Sequence, residues 1–414
     1  MVIGMSKLTP PFGTLLFIAS IGAMISTSTG FAHAQSNFRV LYYFQSSPDG
    51  AAPMASLIGD QSGNLYGTTE HGGSAGVGTV FKVAQDGTET VLHSFYLDGE
   101  FPLAPVLMDA SGNLYGTLSN GNRKKCGSGG CVFKLAPDGT ETTVYSFKKP
   151  AVDGHTPLAG LISDSDGNLY GTTVEGGGRR CSQNCGTVFK ITPDGTETIL
   201  HVFGSQGDGA LPQAELIMDA SGNLFGTTWS GGAHGFGFGT VFKLAPDGTE
   251  TILHSFAGAS DGAQPVAGLI ADNLGNLYGT ASIGGGTGCR GNEGCGAIFK
   301  LAPEGTATIL HAFQGGSDGA NPVAGLTADS AGNLYGTTLR GGGTGCAKQL
   351  GCGTVFRFSQ GTGLVTVIHA FDRRHGFAPY GALLMDEKGN LYGTAAHSTT
   401  RAGSSGIVFK IKAS

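Results

Sequence analysis

The sequence predicts an all-β protein, a single seven-bladed β-propeller with four strands per blade, from three observations. The first is the hexapeptide Gly-Asn-Leu-Tyr-Gly-Thr, which recurs through the chain with Phe225 replacing the Tyr in its fourth copy. The asparagines of the seven copies are Asn64, Asn113, Asn168, Asn223, Asn276, Asn333 and Asn390. Self-similarity at a period of about 50 residues is typical of propellers and other repeat arrays.

The second observation is the content of one repeat. In the fifth copy, four short apolar segments occupy residues 266–272, 277–281, 297–301 and 307–313, and we name them strands a, b, c and d. Clusters of Gly, Pro, Asn and Asp separate them, which is the chemistry of tight turns. Four short strands per repeat are the content of a propeller blade.

The third observation is the strand count. Strand c occurs seven times, but strand d follows it only six times, and the missing strand d matches residues 38–44 at the other end of the chain. We therefore predict that this N-terminal strand pairs with the last strand c. Such pairing completes blade seven and leaves no open edge between the first and last blades.

Residues 1–34 have the pattern of a secretory signal peptide, so the propeller is predicted to span residues 35–414. Lys7 is the only charge, an apolar segment covers residues 12–25, and Ala32-His33-Ala34 is a cleavage motif. The apolar segment is short and broken by Gly and Ser, so a stable membrane span is the weaker interpretation. No cysteine available for lipidation and no C-terminal anchor are visible. We expect a secreted protein, either extracellular or periplasmic.

Charge composition and the absence of catalytic motifs argue against several classes of function. The chain has 24 basic and 30 acidic side chains, a balance that argues against a nucleic-acid partner. It contains no nucleophile-elbow, zinc-protease, phosphate-loop or EF-hand motif. We therefore predict no catalytic residue, no metal ligand and no cofactor.

The eight cysteines form four close pairs, each within one repeat. Local pairs in an exported chain predict disulfides. Zinc binding is the rival interpretation, and it would require thiolates from separate repeats to converge. The predicted pairs are Cys126/Cys131, Cys181/Cys185, Cys289/Cys295 and Cys346/Cys352.

Three consecutive patterns give the repeat a family resemblance. Pro-x-Ala-Gly-Leu-Ile-x-Asp, Gly-Asn-Leu-Tyr and Val-Phe-Lys-x-x-Pro-Asp-Gly resemble the NHL and gluconolactonase-like propeller repeats. They resemble more closely the GloVer tandem repeats of exported bacterial proteins of the choice-of-anchor class, over residues 37–412. The NHL resemblance implies that strand a lines a central channel, but neither resemblance implies a catalytic residue. The small residues expected at this crowded axis are Ala55, Ala104, Ala159, Ala214, Ala267, Ala324 and Gly381.

Strand alternation sorts the connections onto two faces. The a–b and c–d turns are short and nearly constant, and we call their side the turn face. The b–c and d–a loops vary and form the loop face, which is the expected binding face because variable loops on a rigid scaffold commonly carry function. Just past the Gly-Thr of each strand b, a pair of neighbouring positions on this face differs from blade to blade. These pairs supply six predicted ligand-binding residues: Trp229, Arg340, His71, His397, Glu175 and Asn120.

Glu215 is a seventh predicted ligand-binding residue, because it occupies a strand a position where three other blades have Gly. A carboxylate near the channel suits a metal or a base, whereas the plain alternative is a side chain in a wet channel. Trp229, the only tryptophan, suits stacking on a sugar ring, and its plain alternative is to cover a blade edge. The plain alternative for Arg340, His71 and His397 is that they are solvated side chains at the rim without a role in binding.

Repeated polar residues are interpreted as structural. Five histidines recur in strand d and are too far apart for one metal site: His93, His201, His254, His311 and His369. The aspartates that end each strand a are expected to cap turns through backbone amides. They are Asp60, Asp109, Asp164, Asp219, Asp272, Asp329 and Asp386.

Three functions remain open at this point. A noncatalytic binding module that uses the loop face for a carbohydrate or protein ligand is favoured. A propeller enzyme, acting as lactonase, lyase or glycan hydrolase at the channel mouth, is the alternative, and a purely structural surface component is the third. The preference for binding rests on loop variability and on fold analogy.

Overall fold

Seven four-stranded antiparallel sheets build the described part of the protein, as the sequence predicts. Two short two-stranded sheets on the loop face accompany them, Gly154–His155 with Glu175–Gly176 and Gly209–Ala210 with Ser230–Gly231. The computed structural model describes residues 38–96, 98–121, 125–148, 153–178, 185–204, 207–258, 260–286, 289, 293–343, 346, 351–399 and 405–412. This part of the chain contains no α-helix, and accordingly none long and apolar enough to cross a membrane.

Each blade contains strands a, b, c and d in that spatial order, with d outermost. Blades 1 and 2 contain Ile58–Gly59, Leu65–Thr69, Thr79–Val83 and Glu89–Ser94, then Leu107–Met108, Leu114–Leu118, Cys131–Leu135 and Glu141–Ser146. Blades 3 and 4 contain Ile162–Ser163, Leu169–Thr173, Thr187–Ile191 and Glu197–Val202, then Ile217–Met218, Leu224–Thr228, Thr240–Leu244 and Glu250–Ser255. Blades 5 and 6 contain Ile270–Ala271, Leu277–Ala281, Ala297–Leu301 and Ala307–Ala312, then Thr327–Ala328, Leu334–Thr338, Thr354–Ser359 and Leu364–Ala370. Blade 7 contains Leu384–Met385, Leu391–Ala395, Ile407–Ile411 and, from the N-terminus, Phe38–Tyr43.

The ring closes at blade 7 in the predicted manner. Phe38–Tyr43 pairs antiparallel with Ile407–Ile411, and Phe38 lies opposite Ile411. The Phe38 ring also stacks on His369 of blade 6, with ring centroids 3.8 Å apart. The N-terminal strand therefore joins both the last sheet and its neighbour.

Strand a is shorter than the sequence predicts. In blade 5 only Ile270–Ala271 pairs with strand b, whereas the prediction covered residues 266–272. The first half of the segment is instead attached to the preceding blade, because Thr227 Oγ1 donates a 3.1 Å hydrogen bond to the Ala267 carbonyl oxygen. Because this half of the segment does not pair with strand b of its own blade, it lines the central channel instead.

The hexapeptide forms the a–b turn and the start of strand b. In blade 1 the Asp60 carboxylate accepts hydrogen bonds from the Asn64 amide nitrogen at 2.8 Å, from Asn64 Nδ2 at 2.7 Å and from the Tyr66 hydroxyl at 3.0 Å. Gly63 has a φ of +74°, a left-handed conformation that favours glycine. The predicted turn-capping role of the aspartates is confirmed.

The core lies between the blades. At each of the seven boundaries a Phe that follows strand d meets a Phe of the next strand c edge-on, as Phe44 meets Phe81 with centroids 5.0 Å apart. Gly67 makes room for this packing, because a Cβ there would lie 2.7 Å from the Phe81 ring. The other pairs are Phe95/Phe133, Phe147/Phe189, Phe203/Phe242, Phe256/Phe299, Phe313/Phe356 and Phe371/Phe409.

The cysteines form local disulfides on the loop face. Three predicted pairs are bonded: Cys126–Cys131, Cys289–Cys295 and Cys346–Cys352. Cys185 is also disulfide-bonded, and its predicted partner Cys181 lies outside the described residues. The zinc interpretation of these pairs is therefore wrong.

Candidate functional site

The central channel opens on the loop face into a cavity of about 240 Å³, lined by the first halves of the strand a segments. The d–a loop of each blade ends with a proline, and the residue directly after it belongs to one layer of the lining. The seven residues of this layer are Met54, Leu103, Leu158, Gln213, Val266, Val323 and Tyr380. The next inward layer is Ser56, Pro105, Gly160, Glu215, Gly268, Gly325 and Ala382. Apolar walls with a few polar groups are typical of ligand sites.

Among the described residues of this lining, Glu215 is the one acid. Its carboxyl carbon extends over the neighbouring strand a and would lie 3.2 Å from a Cβ on Gly160. Burial raises the pKa of Glu215 to about 7, and no hydrogen bond or charge from the described residues acts on it. The carboxyl is therefore free to accept from, or donate to, a ligand in the cavity.

Charged residues of blades 6 and 1 influence the mouth of the channel. Burial raises the pKa of Tyr380, the Arg340 charge opposes this effect, and the Glu70 charge adds to it. Burial lowers the pKa of His397, and here the Glu70 charge opposes the effect of burial. Arg340 and Glu70 thus act electrostatically on a residue of the channel lining.

Each d–a loop also places one residue with positive φ directly before its proline. These φ values lie between +54° and +60° in seven residues of varied type: Ala52, Phe101, Thr156, Leu211, Gln264, Asn321 and Ala378. Their backbones bridge two blades, since Leu211 donates to the Cys185 carbonyl and accepts from the Trp229 amide. Non-glycine residues in this region carry backbone strain. This ring was not predicted, although a variable residue before each of seven prolines marks it in the sequence.

Glu215 lies in the channel cavity, whereas the other six predicted residues lie outside its lining. Asn120 Nδ2 donates to Glu100 Oε2 at 3.3 Å. Glu175 Oε2 lies 3.0 Å from His155 Nε2, within hydrogen-bond distance. These two side chains are therefore occupied by the d–a loops of their own blades.

The two predicted histidines also contact neighbours. The His71 ring meets Phe101 edge-on, with centroids 5.5 Å apart, and the His397 ring lies 5.1 Å from that of Phe377. The side chains of half-buried Trp229 and exposed Arg340 have no hydrogen bond, ion pair or ring contact with the described residues. Trp229 and Arg340 are thus the most available of the six.

A larger cleft, of about 590 Å³, lies on the turn face between blades 7 and 1. Arg39, Lys388 and Lys410 contribute cations to its lining. Arg39 lies directly opposite Lys410 across the strand pair, where the other six blades place Thr opposite the basic residue of strand c. The constant turns of this face predict a framework, but Arg39 in place of the Thr of the other blades marks the cleft in the sequence.

The match to a known family spans the whole propeller. The Gloeobacter/Verrucomicrobia repeat matches residues 22–182, 124–290 and 239–414. The chain belongs to this repeat family. The resemblance to GloVer repeats is therefore confirmed, and no curated protein matches the chain.

Solved structures share the fold of this repeat protein. Two are extracellular domains from B. thetaiotaomicron, one of a candidate one-component system and one of a candidate hybrid two-component system. Both are 11% identical, with TM-scores of 0.55 and 0.56 over 90% of this chain, which spans only 40% and 39% of theirs. A candidate gluconolactonase from structural genomics is 12% identical over 92% of each chain, but its TM-score of 0.44 supports no argument.

Proposed function

We propose that this repeat protein is an exported, noncatalytic binding module whose ligand enters the channel mouth on the loop face. The observation that carries the proposal is the cavity of about 240 Å³, in which Gln213, Glu215 and Tyr380 interrupt an otherwise apolar and small-residue wall. These are positions where the blades differ, and differences among repeats are where a ligand gains a single orientation. Apolar walls supply burial and the few polar groups supply specificity.

A glycan or another envelope polymer is the ligand class that we favour. Trp229 presents an indole without a side-chain partner among the described residues, and aromatic faces stack on sugar rings. Arg340 offers a guanidinium without an ion pair in the same part of the chain, and it already acts electrostatically on Tyr380. Together with the Glu215 carboxyl, these groups suit a ligand rich in hydroxyls.

An extracellular or periplasmic location fits this proposal. The described disulfides are stable in oxidising compartments. Residues 1–34 have the signal-peptide pattern, and two structures that share the fold are extracellular domains. The last point is an analogy of fold, which by itself transfers no ligand.

A glycan array followed by calorimetry on the best ligand tests the proposal. We expect Trp229→Ala, Arg340→Ala and Glu215→Gly to weaken binding by about tenfold or more, since each removes a direct contact. Leu274→Ala is the matched control, because Leu274 is 80% exposed on the turn face. Binding that survives all three loop-face changes, or that Leu274→Ala abolishes, would contradict the location.

The enzyme alternative is favoured by one observation. A carboxyl with a pKa of about 7 in a concave site has the properties of a general acid or base. Assays with lactones and glycans distinguish the two functions, because Glu215→Gln should abolish turnover by an enzyme while keeping the shape of the cavity. Turnover that depends on Glu215 would replace the binding-module proposal.

A further inference from the structure

The turn-face cleft between blades 7 and 1 has the size of a small-molecule site and takes no part in the proposed loop-face binding. Its volume is about 590 Å³. Its floor is apolar, because Leu41, Leu65, Leu384 and Tyr392 line it and belong to the hydrophobic packing between these two blades. The cleft therefore offers a concave apolar surface on the face away from the loop face.

A missing side chain leaves space at this boundary. Gly59 is the strand a residue that begins the pairing with strand b in blade 1. At the equivalent place blades 2, 4 and 7 have Met108, Met218 and Met385, which pack in the hydrophobic clusters that join each of these blades to the preceding one. A Cβ on Gly59 would lie 3.3 Å from Leu384 Cδ2, so a side chain there would project into the boundary. Gly59 thus leaves open a volume that a methionine fills at three other boundaries.

Three basic side chains line the cleft, and two of them break the repeat. Lys410 holds the position of strand c that is basic in every blade, whereas Arg39 replaces the threonine of the six other strands d. Lys388 precedes the glycine of the a–b turn, and no other blade has a basic residue there. The equivalents of Lys388 are Ser62, Ser111, Asp166, Ser221, Leu274 and Ala331. Both departures add positive charge to the same cleft.

These cations have no acidic partner among the described residues. Arg39, Lys388 and Lys410 form no ion pair in this part of the chain. Lys410 Nζ lies instead over the Tyr392 ring, 5.0 Å from its centroid. Arg39 and Lys410 lie directly opposite each other, which is unfavourable for like charges. Departures from such local rules are expected at functional sites, and a bound anion would relieve this one.

Three acids share the lining, and two of them are engaged in their own turns. The carboxylates of Asp60 and Asp386 accept hydrogen bonds from the asparagine and the tyrosine of their own hexapeptides. Glu387 is exposed and forms no ion pair within the described residues. Glu387 is therefore the acid that would oppose an anion in the cleft.

We propose that the cleft between blades 7 and 1 binds a small organic anion, a phosphate ester or a carboxylate with an apolar body. The planar Arg39 guanidinium offers paired donors to the anionic group, and Lys388 and Lys410 add positive charge beside it. The apolar body lies on the floor formed by Leu41 and Leu384. This site is separate from the channel mouth, so it is independent of the proposed loop-face ligand. It gives a binding role to a face whose constant turns predict only a framework.

Calorimetric titration of the purified protein with phenyl phosphate, benzoate and neutral benzyl alcohol tests the proposal. We expect one molecule of a charged probe to bind per chain, more weakly as salt concentration rises because salt screens exposed charges. Benzyl alcohol shares the ring but not the charge, so it should bind more weakly than the charged probe. The comparison of phenyl phosphate with benzoate shows which anionic group the cleft prefers.

Variants locate the bound probe. Arg39→Thr and Lys410→Gln should each weaken its binding by about tenfold or more, because each removes a charge-assisted contact. Gly59→Met should weaken it too, since it fills the cleft with the side chain found at three other boundaries. Lys243→Gln and Arg340→Thr are the matched controls, which remove one charge from strand c of blade 4 and one from the loop face. Both should leave binding unchanged.

Circular dichroism establishes that each variant is folded before its titration is interpreted. Glu387→Gln provides a change in the opposite direction, because it removes the opposing charge and should strengthen binding of the same probe. The proposal is overturned if neither charged probe saturates the wild-type protein, or if benzyl alcohol binds as tightly as the charged probe. It is also overturned if a control variant loses as much affinity as Arg39→Thr, since the anion would then bind elsewhere or without a defined site.

Discussion

Thr68 Oγ1 donates a 2.9 Å hydrogen bond to the carbonyl oxygen of Ala104, which lies in the next blade. Five other copies of the hexapeptide make the same bond, whereas in the sixth blade Thr337 Oγ1 is buried without a hydrogen-bond partner among the described residues. The last residue of the repeat motif therefore forms a hydrogen bond between adjacent blades. Its absence at Thr337 offers an internal control.

We expect Thr68→Val to lower the free energy of unfolding by about 1 kcal/mol, because it removes a buried hydrogen bond and strands the Ala104 carbonyl. Thr337→Val should be neutral or stabilising, since the valine replaces a hydroxyl with no partner among the described residues. Urea unfolding of both variants measures the difference. Equal losses in the two variants would show that the hydrogen bond contributes nothing beyond shape.

Phe225 leaves the Asp219 carboxylate without the tyrosine hydroxyl that accompanies its equivalents, where the bond is 2.9–3.3 Å long. We expect Phe225→Tyr to raise the free energy of unfolding by about 0.5–1.5 kcal/mol. The gain should vanish when Asp219→Ala is also present, which a double-mutant cycle by thermal unfolding can measure. A gain that persists without Asp219 would assign the effect to packing instead.

The fold was predictable because its determinants are local in sequence. The turn from Asp60 to Asn64 is specified within five residues, and counting strand c against strand d predicted that Phe38–Tyr43 closes the ring. The channel mouth was only partly predictable, since it combines residues as distant as Met54 and Tyr380. The position of Glu215 followed from the repeat register, and its role in binding stays a prediction.

The pairing of loop residues could not be derived from the repeat. Asn120 and Glu175 occupy positions that differ from blade to blade, as residues that contact a ligand would. Their side chains instead contact Glu100 and His155 of the adjoining loops. Variation in both loops at once is equally compatible with contacts inside a blade. The sequence of a single chain does not distinguish these cases, because the distance between two loops depends on tertiary structure.

Arg39 and Lys410 face each other across the closing strand pair. Like charges directly opposite are unfavourable, so we expect Arg39→Thr to stabilise the protein by about 0.2–1 kcal/mol. Salt screens exposed charges, and the gain should therefore shrink as ionic strength rises. Thr90→Arg, which sets Arg opposite Lys82 in blade 1, should produce the opposite change. Thermal unfolding at low and high salt measures both, and a salt-independent gain would contradict the electrostatic cause.

Glu215 should make stability depend on pH in one direction. Burial raises its pKa from 4.5 to about 7, so the folded protein binds more protons than the unfolded chain between these values. The free energy of unfolding contributed by this group therefore falls as pH rises through that window. Glu215→Gln removes the ionisation, so its advantage over the wild type should grow from pH 4.5 to pH 8.

The expected growth is about 1–3 kcal/mol, reduced from the full value of the pKa shift because water enters the channel. Urea unfolding of wild type and Glu215→Gln at pH 4.5, 6 and 8 measures it, and every other titrating group is common to both proteins. Glu387→Gln, an exposed carboxyl on the turn face, is the control and should show a constant difference. A constant difference for Glu215→Gln as well would mean that the carboxyl is hydrated in the channel, and the argument for its readiness to bind or transfer a proton would fail with it.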